Sequence, residues 1–563
     1  MDASLKAEVL SWLAQDPDEV TRKELEELSE AAKQGGAALI ELRDAFRAPL
    51  EFGTAGLRGK LGAGPNRMNR VVVLQAAAGL ANYLNDAGYA GQKVTIGFDA
   101  RYNSEIFAQD TAEILAGAGF LPLIFPHVVA TPVLANSIRQ LDACAGVMVT
   151  ASHNPPQDNG YKVYLGDGRQ IVSPSDIEIS ARIREVHDVR TLVRGTNIQI
   201  LPEGIEQTYV STVAQLVLDG PVTSANRAGV TSVYTAMHGV GWQALKDVFE
   251  SAGFNEPIAV VEQRDPDPAF PTVAFPNPEE KGALDLAIEL ATDVRADVLL
   301  ANDPDADRLA VALPQYNGTW QALRGDQVGV LLAWWVIERA KLSGKNLVGT
   351  FANSIVSSMM LEPLAHSAGL KYANTLTGFK WVSRVPELIY GYEEALGYCV
   401  NPESVGDKDG ISAAAFFMEF VAYLKSTNRT PWDILDDLDR QFGVHATDQV
   451  SVRVNDLEQL STVMTNLRSH PPIDLGLLDV VGMVDLAQGT PELPATDGVI
   501  LHLKGIGDVV KGRVIIRPSG TEPKIKCYLE VVVRSSDLAI AREVAKITLA
   551  GLAHDAEPLL AGE

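Results

Sequence analysis

Ala145-Gly146-Val147-Met148-Val149 runs directly into Thr150-Ala151-Ser152-His153-Asn154-Pro155. The apolar run predicts a buried strand, so the serine, histidine and asparagine should emerge at its carboxyl end. Open α/β sheets hold their ligands along that edge. Upstream, Val94-Thr95-Ile96-Gly97-Phe98-Asp99 and Leu121 to Phe125 are also strand-like, with a helix-like segment from Phe107 to Ala118 between them. This alternation predicts parallel sheets joined by crossover helices. It restarts at Gly229 to Tyr234, at Asp297 to Leu300 and at Lys345 to Thr350, although no clean sequence repeat links the three stretches.

The expected fold class is therefore α/β, with three related mixed α/β domains followed by a smaller α+β domain. The last expectation comes from residues past about 440, where Asp448 to Val454, Gly512 to Ile516 and Lys526 to Val533 read as antiparallel strands. Residues 1–47, rich in Ala, Glu, Leu and Lys, predict a helical extension. The expected boundaries are 48–203, 204–320, 321–440 and 441–563, with linkers near 200–206, 314–324 and 428–444.

A chain of 563 residues is too long for one core. Its formal charge of -25 argues against nucleic-acid or anionic-membrane partners, which both select a cationic face. Any phosphorylated substrate would need cations gathered locally, and Arg513 to Lys526 and the surroundings of Lys380 are the candidates. Cys144, Cys399 and Cys527 each lie in an apolar stretch, which predicts buried free thiols in a reducing compartment. Met1 to Arg22 lacks the apolar core of a signal peptide. Val328 to Ile337 is too short to span a bilayer and reads as a core helix. A cytoplasmic location is expected, as a monomer or weak homodimer.

Ser152 on its own could be a turn or N-cap serine. A hydrolase elbow fits poorly, because Thr150 and Asn154 stand where its glycines belong. A third reading is a serine that carries phosphate, with Lys162 returning a cation to offset the charge. Asp303, Asp305 and Asp307 alternate after Val298 to Ala301, so on extended backbone three carboxylates would share a face. Three like charges repel unless a cation lies between them. An EF-hand is excluded, since Arg308 occupies the turn-glycine position and Pro314 the position of the bidentate Glu. Carboxylates plus a phosphate oxygen suit Mg²⁺. Arg517-Pro518-Ser519-Gly520-Thr521 offers a guanidinium fork, two hydroxyls and a glycine amide, and Lys524 and Lys526 favour anion binding over a plain turn. Glu393 and Glu394, bracketed by Gly391 and Gly397, could accept hydrogen bonds from vicinal hydroxyls.

In chain order, the Ser152 loop, the Asp303/Asp305/Asp307 loop, Glu393-Glu394 and Arg517 to Thr521 resemble the four signature loops of the α-D-phosphohexomutase superfamily. Phe52 to Gly59 is similar to its opening motif. The resemblance runs from about residue 50 to the end. It implies four domains around a central cleft and a phosphoserine at Ser152. It also implies Mg²⁺ held by that phosphate and by Asp303, Asp305 and Asp307. Glucose 1,6-bisphosphate is the implied activator and intermediate. Arg58 and Arg308 match active-site arginines, and Lys408 and His153 match proposed acid/base groups. Thr377-Gly378-Phe379-Lys380 matches a substrate loop, in which Thr377, Gly378 and Lys380 would touch substrate. Glu393 matches the sugar-hydroxyl contact. One departure stands out: Ala395 replaces the serine of the common Glu-x-Ser sugar loop, which removes a hydroxyl contact. The implied activity is reversible conversion of α-D-glucose 1-phosphate and glucose 6-phosphate. Mannose and pentose phosphates, or glucose-1,6-bisphosphate synthesis by the same phosphoserine, are the alternatives.

Overall fold

The computed structural model describes residues 2–54, 56–202, 204–453, 457–518 and 524–561. The chain divides into two compact bodies, Met1–Leu323 with Gly397–Ala422, and Arg324–Leu396 with Tyr423–Glu563.

In the first body the helices Ala3–Gln15, Glu19–Ala32 and Gly36–Ala45 precede any sheet. Asp2 accepts a hydrogen bond from the Leu5 amide and Asp18 one from the Val20 amide, which caps the first two helices. Leu5, Val9, Trp12 and Leu42 join the same apolar cluster as the helix Arg70–Asp86 and the strands Lys93–Phe98 and Ala145–Val149. The extension is thus packed into the core of the first sheet.

That sheet runs in the order Leu57–Lys60, Asp158–Leu165, Ala145–Val149, Lys93–Phe98, Leu121–Ile124, Gln199–Ile200. The last four strands pair in parallel, as the alternation predicts. The first two do not: Asp158–Leu165 returns antiparallel to Ala145–Val149. Residues 150–157 are too few for a crossover helix, so the chain closes a hairpin there. The second sheet repeats the device. Ser232–Thr235 and Val298–Asn302 are parallel, and Leu309–Pro314 then returns antiparallel to Val298–Asn302. In each sheet a polar loop joins a buried parallel strand to its antiparallel partner.

In the second body a parallel sheet runs Lys371–Thr375, Thr350–Ser354, Leu388–Glu393. The C-terminal sheet is antiparallel throughout, in the order Val444–Arg453, Lys524–Val533, Val509–Pro518, Val499–Lys504, Leu478–Asp485, Asp474–Leu475. Leu460, Met464, Leu549 and Leu552, from its two long helices, share a core with Leu501, Val514 and Leu529 of the sheet.

Three local expectations are corrected. The strand expected over Lys345 to Thr350 begins only at Thr350, directly after Gly349, whose φ of +144° lies outside the strand region. The linker expected over 428–444 is mostly the helix Pro431–Phe442, where Thr430 and Asp433 form a capping box and Pro431 is the helix start. Within 314–324, Trp320–Ala322 forms a hairpin strand against Leu309–Pro314. All three cysteines are buried and free, as expected. Among the described residues no helix is long and apolar enough to cross a membrane.

Candidate active site

Ser152 stands three residues past the fully buried strand Ala145–Val149, in the left-handed conformation (φ 51°) and 2 % exposed. That conformation is disfavoured for a serine, and such strain concentrates at functional positions. The surroundings hold it in place. The Ser152 amide donates to Thr150 Oγ1 (2.9 Å), and the Arg101 guanidinium donates to the carbonyls of Ser152 (2.6 Å), Pro155 (2.8 Å) and Asp158 (3.1 Å). Arg101 also lies over the Phe270 ring at 4.9 Å, a cation–π contact. Nothing in the motif loops themselves marks Arg101. Its signal was the pair Asp99 and Arg101 just past a neighbouring strand, the same rule that singled out Ser152.

Asp303, Asp305 and Asp307 follow the buried strand Val298–Asn302. The expected extended loop is instead a turn: Ala306 has φ 57° and its amide donates to the Asp303 carbonyl (2.9 Å). The turn, rather than strand alternation, brings one oxygen of each carboxylate within 4.8 Å of the others. Ser152 Oγ donates to Asp303 Oδ2 at 2.6 Å. Lys162 Nζ pairs with Asp305 Oδ2 (2.6 Å) and Asp307 Oδ2 (2.8 Å), and Lys408 Nζ lies 3.0 Å from Asp307 Oδ2. Arg58 donates to Asn154 Oδ1 (2.9 Å), and the Arg308 amide donates to Asp303 Oδ1 (3.0 Å). His153 Nδ1 is 3.2 Å from Ser152 Oγ.

Several supports have no counterpart in the sequence reading. Thr131 donates from its hydroxyl to Asp305 Oδ2 (2.6 Å) and from its amide to the Asp305 carbonyl (2.9 Å). The loop carrying Lys408 is held by buried tyrosines on both sides: Tyr164 donates to Asp407 (2.9 Å) and Tyr209 to Asp409 (2.8 Å). Gly410 closes it, since a Cβ there would meet the Arg308 carbonyl at 2.2 Å. Only a glycine lets these two backbones touch.

The electrostatics follow from burial and neighbours. Burial alone would push Asp305 up, but Lys162 outweighs it and holds the carboxyl ionised, well below the usual range. Burial likewise opposes Asp307, and Lys162 and Lys408 keep it low. Asp303, buried beside Asp305 and Asp307, is pushed well up. Burial and then Arg308 and Arg58 push His153 well down, so its imidazole is neutral at pH 7. The carboxylate set fits a hard divalent cation. Asp305 Oδ1 and Asp307 Oδ1 are buried without a hydrogen-bond partner among the described residues, a costly arrangement that a bound cation would relieve.

The second body carries the remaining expected residues. Arg517 donates to Thr377 Oγ1, and the Gly378 amide donates to Glu393 Oε1 at 2.6 Å. Glu394 Oε2 accepts from Ser354 Oγ (3.0 Å) and Ser357 Oγ (2.9 Å), serines that the sequence reading missed. Lys380 lies in the helical turn Phe379–Val382, and Lys524 opens the strand Lys524–Val533. Ser519, Gly520 and Thr521 lie outside the described residues.

Residues 49–190, 207–317 and 324–442 match the α/β/α domains I, II and III of phosphoglucomutase/phosphomannomutase, and residues 507–547 match its C-terminal domain. The chain belongs to this family, the α-D-phosphohexomutases, whose members are phosphosugar mutases, intramolecular phosphotransferases of the isomerase class. It is 46% identical over 469 residues to the "Probable phosphomannomutase" of Haemophilus influenzae, covering 82% of this chain and 93% of that one. It is 35% identical over 583 residues to the phosphopentomutase of Mus musculus, covering 94% and 91%. The open-form crystal structure of pp63/parafusin, a phosphoglucomutase from Paramecium, shares the fold: TM-score 0.68 at 19% identity, over 92% of this chain and 97% of that one.

Proposed function

We propose that the chain interconverts the 1- and 6-phosphates of an α-D-glucose phosphate through a phosphoserine at Ser152. The observation that carries this reading is the strained, buried Ser152, with its Oγ 2.6 Å from Asp303 among carboxylates and cations. The P–O bond to Ser152 Oγ breaks as a new one forms to the free sugar hydroxyl, giving glucose 1,6-bisphosphate. The proton of that hydroxyl passes to His153, whose imidazole is neutral, or to Lys408 in its unprotonated amine form, and from there to the released serine oxygen. The bisphosphate turns over, and the second transfer runs in reverse from its other phosphate.

Asp303, Asp305 and Asp307 would hold Mg²⁺, which would supply Lewis-acid charge stabilisation to the transferring group. Arg58, Arg308 and Lys162 gather positive charge for a phosphate within a chain of net charge -25. Arg517, with Thr377, Ser519, Gly520, Thr521 and Lys524, would bind the phosphate that is not being transferred. Glu393 and Glu394 would accept hydrogen bonds from sugar hydroxyls, with Gly378 and Lys380 completing the substrate loop.

A second reading, a pentose phosphate as the preferred substrate, is favoured by one residue: Ala395 offers no hydroxyl where the common sugar loop has serine. The Mus musculus relative carries the name phosphopentomutase. One experiment addresses both readings. The protein is mixed with sugar bisphosphate and weighed intact, then supplied with Mg²⁺, a trace of bisphosphate and glucose, mannose, N-acetylglucosamine or ribose 1-phosphate. A single phosphoryl adduct at Ser152 and the highest kcat/KM on glucose 1-phosphate are expected. Highest kcat/KM on ribose 1-phosphate would establish the second reading. A protein with no adduct and no isomerised sugar would defeat both.

A further inference from the structure

A buried carboxylate in the C-terminal sheet ends, through a chain of hydrogen bonds, on the sugar loop. Glu530 lies in the strand Lys524–Val533 and is 3 % exposed. Its Oε1 accepts from Ser358 Oγ (2.8 Å) and the Met359 amide (2.8 Å) and is 3.2 Å from His445 Nδ1; its Oε2 accepts from Arg513 (2.7 Å). Arg513 also donates to the Ser357 carbonyl (2.7 Å). Ser357 Oγ in turn donates to Glu394 Oε2 (2.9 Å) and accepts from the Glu394 amide (3.0 Å). Ser354 Oγ donates to the same carboxylate oxygen (3.0 Å). The backbone beside it is equally confined, since a Cβ on Gly325 would meet the Glu394 carbonyl at 1.8 Å.

Burying a charge in this way does not stabilise a fold better than apolar residues of the same volume would. What such a network gives is a defined position, since each member has few alternative partners. Here the position fixed is that of residues 354–359, and through Ser354 and Ser357 that of Glu394, the neighbour of Glu393. Burial alone would push Glu530 up, but Arg513 and His445 outweigh it and keep the carboxylate ionised, so the network retains its strong acceptor.

We propose that Glu530 is a positioning residue for sugar recognition: it ties the C-terminal sheet to the serine segment 354–359 and thereby fixes where the Glu394 carboxylate points. This rests on the mutase reading above. The test compares full-length wild type, Glu530→Gln, Ser357→Ala and the double variant, on glucose 1-phosphate and on a set of its monodeoxy analogues. In each single variant KM is expected to rise roughly tenfold with kcat little changed. Discrimination against at least one deoxy analogue should shrink by about the same factor. The double variant should be no worse than the worse single one, because both act through one chain of contacts. A lowered Tm with wild-type KM and wild-type discrimination would overturn the proposal, leaving Glu530 a purely structural group. Multiplying effects in the double variant would also overturn it. Should Glu530→Gln fail to fold, Ser357→Ala decides alone, and wild-type discrimination there is fatal. A wild-type protein that isomerises no sugar phosphate would instead fail the mutase reading, and this inference with it.

Discussion

The surroundings of Ser152 in the first body and of Glu393, Glu394 and Arg517 in the second are built on opposite plans. Asp303, Asp305 and Asp307 are at most 1 % exposed, and Lys162 and Lys408 are already committed to them as ion pairs. Thr377, Gly378, Lys380, Glu393, Glu394 and Arg517 are all only half-buried. The first region is preorganised for one event and pays no reorganisation when charge moves. The second is more open to solvent, which under the proposed function suits a site that accepts a bisphosphate in two orientations. On the proposed function, chemistry belongs to the buried region and recognition to the more exposed one. Substitutions in the two regions should therefore fail in different ways.

The largest expected effect is at the serine. Ser152→Ala removes the oxygen proposed to carry the phosphoryl group, so mutase turnover should fall by about 10⁴-fold or more, with no phosphoryl incorporation. Rate assays and intact mass on the same sample check it, and a variant turning over normally would remove the serine from the mechanism.

Next is a contrast in how each body handles a buried acid. Asp305 is held ionised by Lys162, whereas Asp326 of the second body has Glu394 and Glu530 as its charged neighbours. Burial, reinforced by those two carboxylates, pushes Asp326 up to about 7. Between about pH 4 and pH 7 the folded form keeps a proton that the unfolded chain has already released. Stability from this group is therefore full below about pH 4 and is lost progressively as pH rises to about 7, by up to about 4 kcal/mol in total. Asp326→Asn cannot ionise, yet it keeps an oxygen to accept from the Ser358 amide (2.7 Å). Denaturant midpoints at pH 5 and pH 8 should show the variant gaining on wild type as pH rises. A constant difference between the two would show that Asp326 is ionised at both.

Asp305→Asn tests the preorganised cage itself. It removes one of three carboxylates and one partner of Lys162, and Mg²⁺ affinity should weaken by about 100-fold. Calorimetric titration with Mg²⁺ alone reads this without any turnover. An unchanged Kd would mean that the cation binds elsewhere.

The contrast between regions also explains what the sequence could convey. Ser152 and the three aspartates were legible because each follows a continuous apolar strand, and polar residues at a strand's carboxyl end are conspicuous. Their supports were not. Thr131, Tyr164 and Tyr209 reach the site from 174, 243 and 200 residues away from the partners they hold, and nothing local marks them. Alternation suggests an extended Asp303–Asp307 loop, whereas a left-handed Ala306 makes it a turn. Antiparallel returns after residues 149 and 302 were hidden for a related reason: strand periodicity does not encode direction. In the second body Ser354 and Ser357 looked like ordinary polar loop residues, since only the fold sets them against Glu394.

Arg517→Ala gives the smallest expected effect and the sharpest test of the comparison. Arg517 donates to Thr377 Oγ1, a neutral hydroxyl that a phosphate oxygen would readily replace, so the guanidinium is available to a ligand at little cost. A phosphate held at the far end of the sugar is bound alike in ground and transition states, so its loss should act on KM. A rise of roughly tenfold is expected, with kcat little changed. Arg517→Lys should recover only part of it, because an ammonium lacks the planar fork that grips two phosphate oxygens. Steady-state kinetics on both variants distinguish the two plans. A large fall in kcat at constant KM would mean that Arg517 acts on the transferring group. The recognition region would then be as preorganised as the serine region, and the division of labour between the two bodies would be wrong.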